Sequence, residues 1–440
     1  MLKAFQEHIK TNFSFLYTSK VVVACSGGID SILLAHLCMK SGIDIALAHC
    51  NFKMRGAESD ADEDFVRSLA AERKIPVFVK HLQAESYGQV KRLSIQMAAR
   101  EMRYDWFSEL IKEENYDYVL TAHHADDNLE TFLINLSRGS GIQGLIGIPE
   151  KNGHYLRPLL PFSRNEIIRF SQNHAVTWRE DSSNKRKKYL RNKLRHDVIP
   201  TLKEINPSLL DNFKKTIHYL EDSATLVDDA VKKIQGNLFH DHLEDKNIQR
   251  IAVSELEALG EPRIYMHAVF KEFGFTAWND VVQLLQAQTG KYISSATHRL
   301  VKDRTDLLLA PIAGTTKEQH YQIFEGESAM ILPDQMLKLK TVSAIDETGQ
   351  NTLYVDAAKL YYPLEVRRWQ KGDVFYPLGM NGRKKLSKYF KDEKLSLLDK
   401  EKVWVLCSDN QIVWVLGYRT DERFKVTSDT KRLLKITITQ

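Results

Sequence analysis

Cysteine is scarce: Cys25, Cys38, Cys50 and Cys407 are all that a chain of 440 residues holds, and none forms a C-x-x-C pair. A disulfide framework and a thiolate metal site are thereby both disfavoured. Cys25 reads as a small residue packed at a strand end, since no redox or metal partner accompanies it. Also missing is any apolar run near the roughly 20 residues that a membrane-crossing helix needs. The opening Met1-Leu2-Lys3-Ala4-Phe5-Gln6-Glu7 lacks the apolar stretch of a signal peptide. A cytoplasmic protein without membrane attachment is therefore expected. Charge of one sign is not in large excess either, the formal net charge being +5. Any affinity for nucleic acid then depends on where cations cluster. Internal repeats and low-complexity tracts are absent.

What remains is ordinary globular composition, 43% hydrophobic and 27% charged, over a length that suggests two or three domains. Val21-Val22-Val23-Ala24 is a short continuous apolar run, the pattern of a strand buried on both faces. Strand-like segments follow at 43–49, 75–79 and 118–122, separated by helix-like stretches starting near Asp30 and spanning 61–74, 95–114 and 129–136. Such alternation predicts an α/β domain with a parallel sheet covered on both faces. Beyond Phe162 helix periodicity dominates, at 165–171, 189–205 and 208–238, with Pro200 and Pro207 as punctuation. Residues 250–310 read as a smaller helical unit followed by short strands, and 313–327 as a connection. The last hundred residues carry short aromatic and β-branched runs, 352–355, 403–406 and 412–415, which predict a strand-rich α+β domain. The division expected is a catalytic domain over 1–205, a mainly helical middle domain over 206–335 and a C-terminal domain over 345–440.

Between the first strand and the first α/β helix lies Ser26-Gly27-Gly28-Ile29-Asp30-Ser31. Glycine lets a backbone approach a ligand without a Cβ in the way, and a helix N-terminus adds free N–H groups and positive dipole, so the loop suits phosphate oxygens. Lys-Ser or Lys-Thr does not follow the glycines and no G-x-G-x-x-G is present, so neither the Walker nor the dinucleotide loop fits.

The hexapeptide resembles the loop of the PP-loop ATP pyrophosphatase superfamily, which cleaves ATP to AMP and pyrophosphate. Within it, His123-His124-Ala125-Asp126-Asp127-Asn128-Leu129-Glu130-Thr131, Arg100-Glu101-Met102-Arg103-Tyr104, Asp181-Ser182-Ser183-Asn184 and Arg191-Asn192-Lys193-Leu194-Arg195 are similar to blocks of the tRNA(Ile)-lysidine synthetases. Toward the C-terminus, Lys371-Gly372-Asp373, Pro377-Leu378-Gly379-Met380 and Lys384-Lys385-Leu386-Ser387 resemble that family's terminal domain. Two positions depart from the pattern: Phe52 stands where a second His is usual after the second strand, and Met97 where a Glu is usual before Arg100.

The resemblance implies that the 2-carbonyl oxygen of a tRNA's wobble cytidine is activated by ATP and that free L-lysine then displaces AMP. A triphosphate needs donors, counter-charge and Mg²⁺. Ser26, Gly27, Gly28, Ile29, Asp30 and Ser31 would hold ATP, with Asp30 a candidate for Mg²⁺ or for lysine. Asp127, with His123 in support, is the candidate partner for the lysine ammonium, which must lose a proton before attack. Arg100 is expected to face the site and Arg103 to be structural. Basic residues 185–188 with Arg191, Lys193 and Arg195 taken alone would be a solvated run. Beside a tRNA-modifying site they read as phosphate contacts, Lys187, Lys188 and Arg191 among them, with Arg191 or Arg195 reaching ATP. Arg383, Lys384, Lys385 and Lys388 are the matching candidates for an RNA stem, whereas Trp404 and Trp414 are expected in the core. The partners implied are an isoleucine tRNA with a CAU anticodon, lysine and a possible second copy of the chain. A PP-loop tRNA thiolase is the nearest rival, disfavoured by the missing C-x-x-C. A non-catalytic RNA-binding protein is the other, disfavoured by the intact loop.

Overall fold

The computed structural model describes residues 1–180, 190–242, 245–312, 320–346, 348–380 and 382–439. Asp181 to Asn184 and the candidate cations Lys187 and Lys188 lie outside the described residues. The chain separates into two compact units, Met1–Asp228 and Asp229–Gln440.

The first unit is built on strands β1 (Val21–Ala24), β2 (Ile45–Asn51), β3 (Val77–His81), β4 (Tyr118–Leu120), β5 (Lys151–Asn152) and β6 (Tyr155–Leu156). Their order is β3-β2-β1-β4-β6-β5. Pairing is parallel throughout except for the short β5–β6 hairpin at one edge. Helices α1 (Leu2–Asn12), α2 (Ile29–Lys40), α3 (Ala57–Arg73), α4 (Ala84–Lys91), α5 (Ile95–Glu113), α6 (Ala125–Ser137), α7 (Ile142–Leu145) and α8 (Arg164–Asn173) connect and cover the strands. The valine run explains the layering. Val21 and Val23 point to one face, against Phe5, Ile9, Leu33, Val66 and Ile167. Val22 points to the other, against Trp106, Phe107 and Val119. Period-2 alternation of apolar side chains with both faces apolar is what a helix-covered parallel strand requires. Helices α9 (Leu190–Lys193), α10 (Ile199–Ile205) and α11 (Leu209–Leu238) follow, with a π-helical turn over Leu194–Val198 between the first two. Phe213 and Ile217 of α11 pack with Leu129 of α6 and Ile199 of α10.

The second unit begins with an antiparallel sheet of β7 (His240–Asp241), β8 (Gln249–Ala252), β9 (Tyr292–Ser294), β10 (His298–Asp303) and β11 (Asp306–Pro311), ordered β7-β8-β11-β10-β9. Helices α12 (Val253–Ala258), α13 (Pro262–Phe270) and α14 (Trp278–Gln283) pack on it through Leu256, Met266, Phe270 and Val281. Strands β12 (His320–Ile323), β13 (Ala329–Ile331), β14 (Met336–Val342), β15 (Thr352–Asp356) and β16 (Leu364–Arg368) come next. A β17–β18 hairpin (Val374–Phe375, Lys384–Lys385), helices α15 (Leu386–Asp392) and α16 (Leu397–Glu401), and strands β19 (Trp404–Ser408), β20 (Gln411–Val415), β21 (Arg419–Thr420) and β22 (Leu433–Thr439) complete it. Two sheets, β12-β16-β19-β20-β21 and β13-β14-β22-β15, share a core containing both Trp404 and Trp414. Within 313–327, read from the sequence as a connection, His320–Ile323 is a strand paired with β16. At four residues, one of them buried, it is too short to announce itself by alternation.

Candidate active site

Chain connections run from β1 to β2 to β3 on one side of the sheet, while β4 lies on the other side of β1. The order reverses between β1 and β4, and ligands of open α/β sheets bind at the carboxyl ends flanking such a reversal. The glycine loop follows β1 and the His123-His124 block follows β4. Topology therefore brings the two strongest sequence motifs together.

Cys25 makes the last sheet-type bond of its strand, N–H to Ala48 O at 2.8 Å, and its side chain is buried. Two hydroxyls then brace the turn: Ser31 Oγ accepts from Ser26 N at 3.1 Å and donates to Gly28 O at 3.0 Å, while Gly28 N donates to Ser26 Oγ at 3.3 Å. Gly27 sits at φ +85°, where a side chain would be strained. Gly28 is the N-cap of α2 and offers no side-chain cap, so first-turn N–H groups are left for an outside acceptor.

Asp30, in that first turn, is held by Arg164: Nη1 donates to Oδ2 at 3.0 Å and to Oδ1 at 3.3 Å. His124 caps α6 through a capping box, Asp127 N donating to its Nδ1 at 3.4 Å and Asp127 Oδ2 accepting from its backbone N–H at 3.2 Å. With Nδ1 an acceptor, the ring proton falls on Nε2, which faces Asp127 Oδ2 at 3.4 Å and Asp30 Oδ1 at 3.8 Å. Asp126 accepts from Arg164 N at 2.8 Å and pairs with Lys203.

Arg195 straddles two carboxylates of α6. Its Nη2 donates to Asp127 Oδ1 at 2.8 Å, and its Nε and Nη2 to Glu130 at 2.6 and 3.0 Å. Arg191 reaches Glu130 Oε2 at 2.9 Å and Thr131 Oγ1 at 2.8 Å. Glu130 is 0% exposed. Burial opposes ionisation of Asp127, yet His124, Arg195 and His123 outweigh it and hold its carboxyl below the usual range. Burial pushes His123 down to about 4, helped by Arg157, Arg100 and Arg191 and partly offset by Asp127. This imidazole, bonded through Nδ1 to Thr121 Oγ1 at 3.0 Å, is neutral near pH 7.

Of the residues singled out from sequence, Asp30, His123, Asp127, Arg191 and Arg195 thus converge with the loop. Arg100 is exposed, its guanidinium 5.0 Å from the Tyr104 ring centroid, and joins the cluster through its field on His123. Arg103 lies over Phe52 at 5.5 Å, the structural placement expected of it. Met97 is 58% exposed. Glu130 and Arg164 are among the members that went unnamed as site residues in the sequence. Glu130 follows Asp127 at helical i,i+3 spacing inside the same motif, which was signal enough. Arg164 is 134 positions from Asp30 and carried none.

In the second unit, Leu386, Tyr389 and Phe390 of α15 are buried against Phe375 and Val405. That leaves Arg383, Lys385 and Lys388 exposed, while Lys384 is paired with Asp392 at 2.7 Å. Asp373 ties this helix to the Lys371-Gly372 turn, accepting twice from Arg367 at 2.9 Å, and Leu386 N donates to its carbonyl at 2.8 Å.

A phosphate-type loop at the switch point of a parallel sheet, facing an acidic helix N-terminus, defines an ATP-using PP-loop enzyme, and residues 1–202 match the family model described as PP-loop domain. Residues 244–312 match a TilS substrate binding domain and 364–436 a TilS C-terminal domain. The tRNA(Ile)-lysidine synthase of Parabacteroides distasonis is 38% identical over 420 residues, covering 94% of each chain. That of Bacteroides thetaiotaomicron is 36% identical over 432 residues, covering 97% of each. The chain belongs to the tRNA(Ile)-lysidine synthase family. Among solved structures, the U34-tRNA thiolase NcsA from Methanococcus maripaludis, with its [4Fe-4S] cluster, aligns over 49% of this chain and 78% of its own at a TM-score of 0.41 and 16% identity.

Proposed function

We propose that the enzyme joins free L-lysine to the 2-position of the wobble cytidine of the CAU-anticodon isoleucine tRNA, through an adenylated cytidine. In the first step the cytidine 2-oxygen attacks the α-phosphorus of ATP and pyrophosphate leaves. In the second the ε-amine of lysine, having lost a proton, attacks the 2-carbon, and AMP leaves with the oxygen. The observation that carries this reading is the meeting of the loop with Asp127 at the switch point, where His124 Nε2 lies between Asp30 and Asp127, so that an anion-binding cradle stands beside a carboxylate.

The amides of residues 26–31 receive the phosphates. Asp127 receives the lysine ammonium, with buried Glu130 holding Arg195 beside it, and His123, neutral near pH 7, takes its proton. Arg100, Arg191 and Arg195 supply the positive charge that offsets charge developing on phosphate. Mg²⁺ neutralises triphosphate charge when bound, and Asp30 is the residue that would hold it. Lys187, Lys188, Arg383, Lys384, Lys385 and Lys388 contact tRNA, and residues 1–205, 206–335 and 345–440 divide catalysis, connection and tRNA capture. Among the described residues no helix is long and apolar enough to cross a membrane. A cytoplasmic homodimer is the form we propose.

Incubation with ATP, Mg²⁺, labelled lysine and purified tRNAs tests the reading. Label is expected in the CAU isoleucine tRNA and not in methionine tRNA. Modification without lysine, or none, refutes it.

A further inference from the structure

Arg164 contributes twice at the junction of the two motifs. Its backbone N–H binds buried Asp126, and its guanidinium binds Asp30 through both carboxylate oxygens. Asp30 and Arg164 are 27% and 33% exposed at their side chains, so this is a partly buried pair that solvent still reaches. Among the described residues no other Lys or Arg makes a hydrogen bond or ion pair to Asp30; His124 Nε2 lies at 3.8 Å, and Arg195 acts on Asp30 only through its field. A carboxylate in the first turn of a phosphate-binding helix faces a conflict: it suits the helix dipole but repels the incoming anion. Before Mg²⁺ arrives with the nucleotide, the protein itself must cancel that charge.

We propose that Arg164 is a positioning residue for ATP, which acts through Asp30 by neutralising its carboxylate and fixing its rotamer so that the triphosphate can reach the loop amides. The proposal rests on the reading of residues 26–31 as the ATP site. Arg164 itself need touch no phosphate. Since its main-chain N–H is kept by any substitution except proline, α8 remains anchored to Asp126 in the variants below.

A double-mutant cycle on the full chain, read by calorimetric binding of ATP at saturating Mg²⁺, distinguishes this role from its rivals. Arg164→Gln is expected to weaken ATP binding about tenfold, or about 1.4 kcal/mol. The same change in an Asp30→Asn background is expected to weaken it less than about threefold, because no charge remains to cancel. Arg164→Lys, which keeps the charge without the fork, should recover most of the loss. Equal losses in both backgrounds overturn the proposal, since Arg164 would then act on ATP or on the fold directly. Unchanged binding by Arg164→Gln overturns it too. If the unaltered protein fails to bind ATP, the loop reading itself falls and this inference with it.

Discussion

Glu130→Gln is expected to destabilise the N-terminal unit by about 2–3 kcal/mol while leaving its shape nearly intact. The carboxylate is fully buried, accepts hydrogen bonds from Arg195 at 2.6 and 3.0 Å, and forms an ion pair with Arg191 Nε at 2.9 Å. An amide of the same size removes the negative charge and turns an NH₂ toward at least one guanidinium. Breaking a buried ion pair from one side typically costs roughly 3–5 kcal/mol. The figure is lowered here because each arginine keeps a partner, Asp127 for Arg195 and Thr131 for Arg191, both at 2.8 Å. Both also reach solvent, at 25% and 42% exposure. At roughly 2–4 °C per kcal/mol for a unit of this size, the first calorimetric transition should fall by about 4–12 °C. A shift below about 1 °C refutes the reasoning, as does a shift that disappears in about 0.5 M salt, since screening of that kind marks an exposed pair.

Gly27→Ala should cost about 1–2 kcal/mol from the left-handed backbone alone. The added Cβ would meet Phe65 and Val66 at 3.7 Å, an ordinary contact; at Gly28, where φ is not positive, a Cβ would meet Ser26 Oγ at 3.4 Å, so Gly28→Ala should leave the melting temperature nearly unchanged. His123 titrates near 4 in the folded protein against 6.5 ordinarily, so the unfolded chain binds the extra proton between those values. Stability is then complete above pH 6.5 and lost as pH falls toward 4. Urea unfolding should show the parent losing roughly 2 kcal/mol more than His123→Asn between pH 7 and pH 5. Parallel slopes refute it. Reversing Lys385 and Lys388 to Glu should weaken tRNA binding and make its salt dependence shallower by roughly one logarithmic unit per lost phosphate contact, with ATP binding unaltered. Equal loss for ATP would mean a damaged fold.

Much of the catalytic unit was legible because its signals are local. Val21 to Ala24 announces a strand buried on two faces, and the hexapeptide after it needs no partner to be recognised. Asp127 and Glu130 share one helical turn. What escaped depends on chain crossings. The pairing of Arg164 with Asp30 joins segments of different sheet halves, and neither has a local pattern that selects the other. Helix α4 escaped for a different reason: Gly88 lies inside it and weakens the periodic signal. In the fold that glycine is needed, since a Cβ there would sit 3.1 Å from Leu93 O. The strand at His320–Ile323 takes its stability from β16, not from its own composition.

The four thiols have a practical consequence. Burial lifts Cys25 to about 11 and Cys38, Cys50 and Cys407 to about 12, and the side chains of Cys25, Cys38 and Cys407 are enclosed. Near neutral pH essentially none is a thiolate, the form that alkylating reagents attack. The natural chain is thus a quiet background for chemical labelling. A single cysteine placed on an exposed position such as Lys388 would take a fluorophore or photocrosslinker selectively, without first stripping the native thiols from the core.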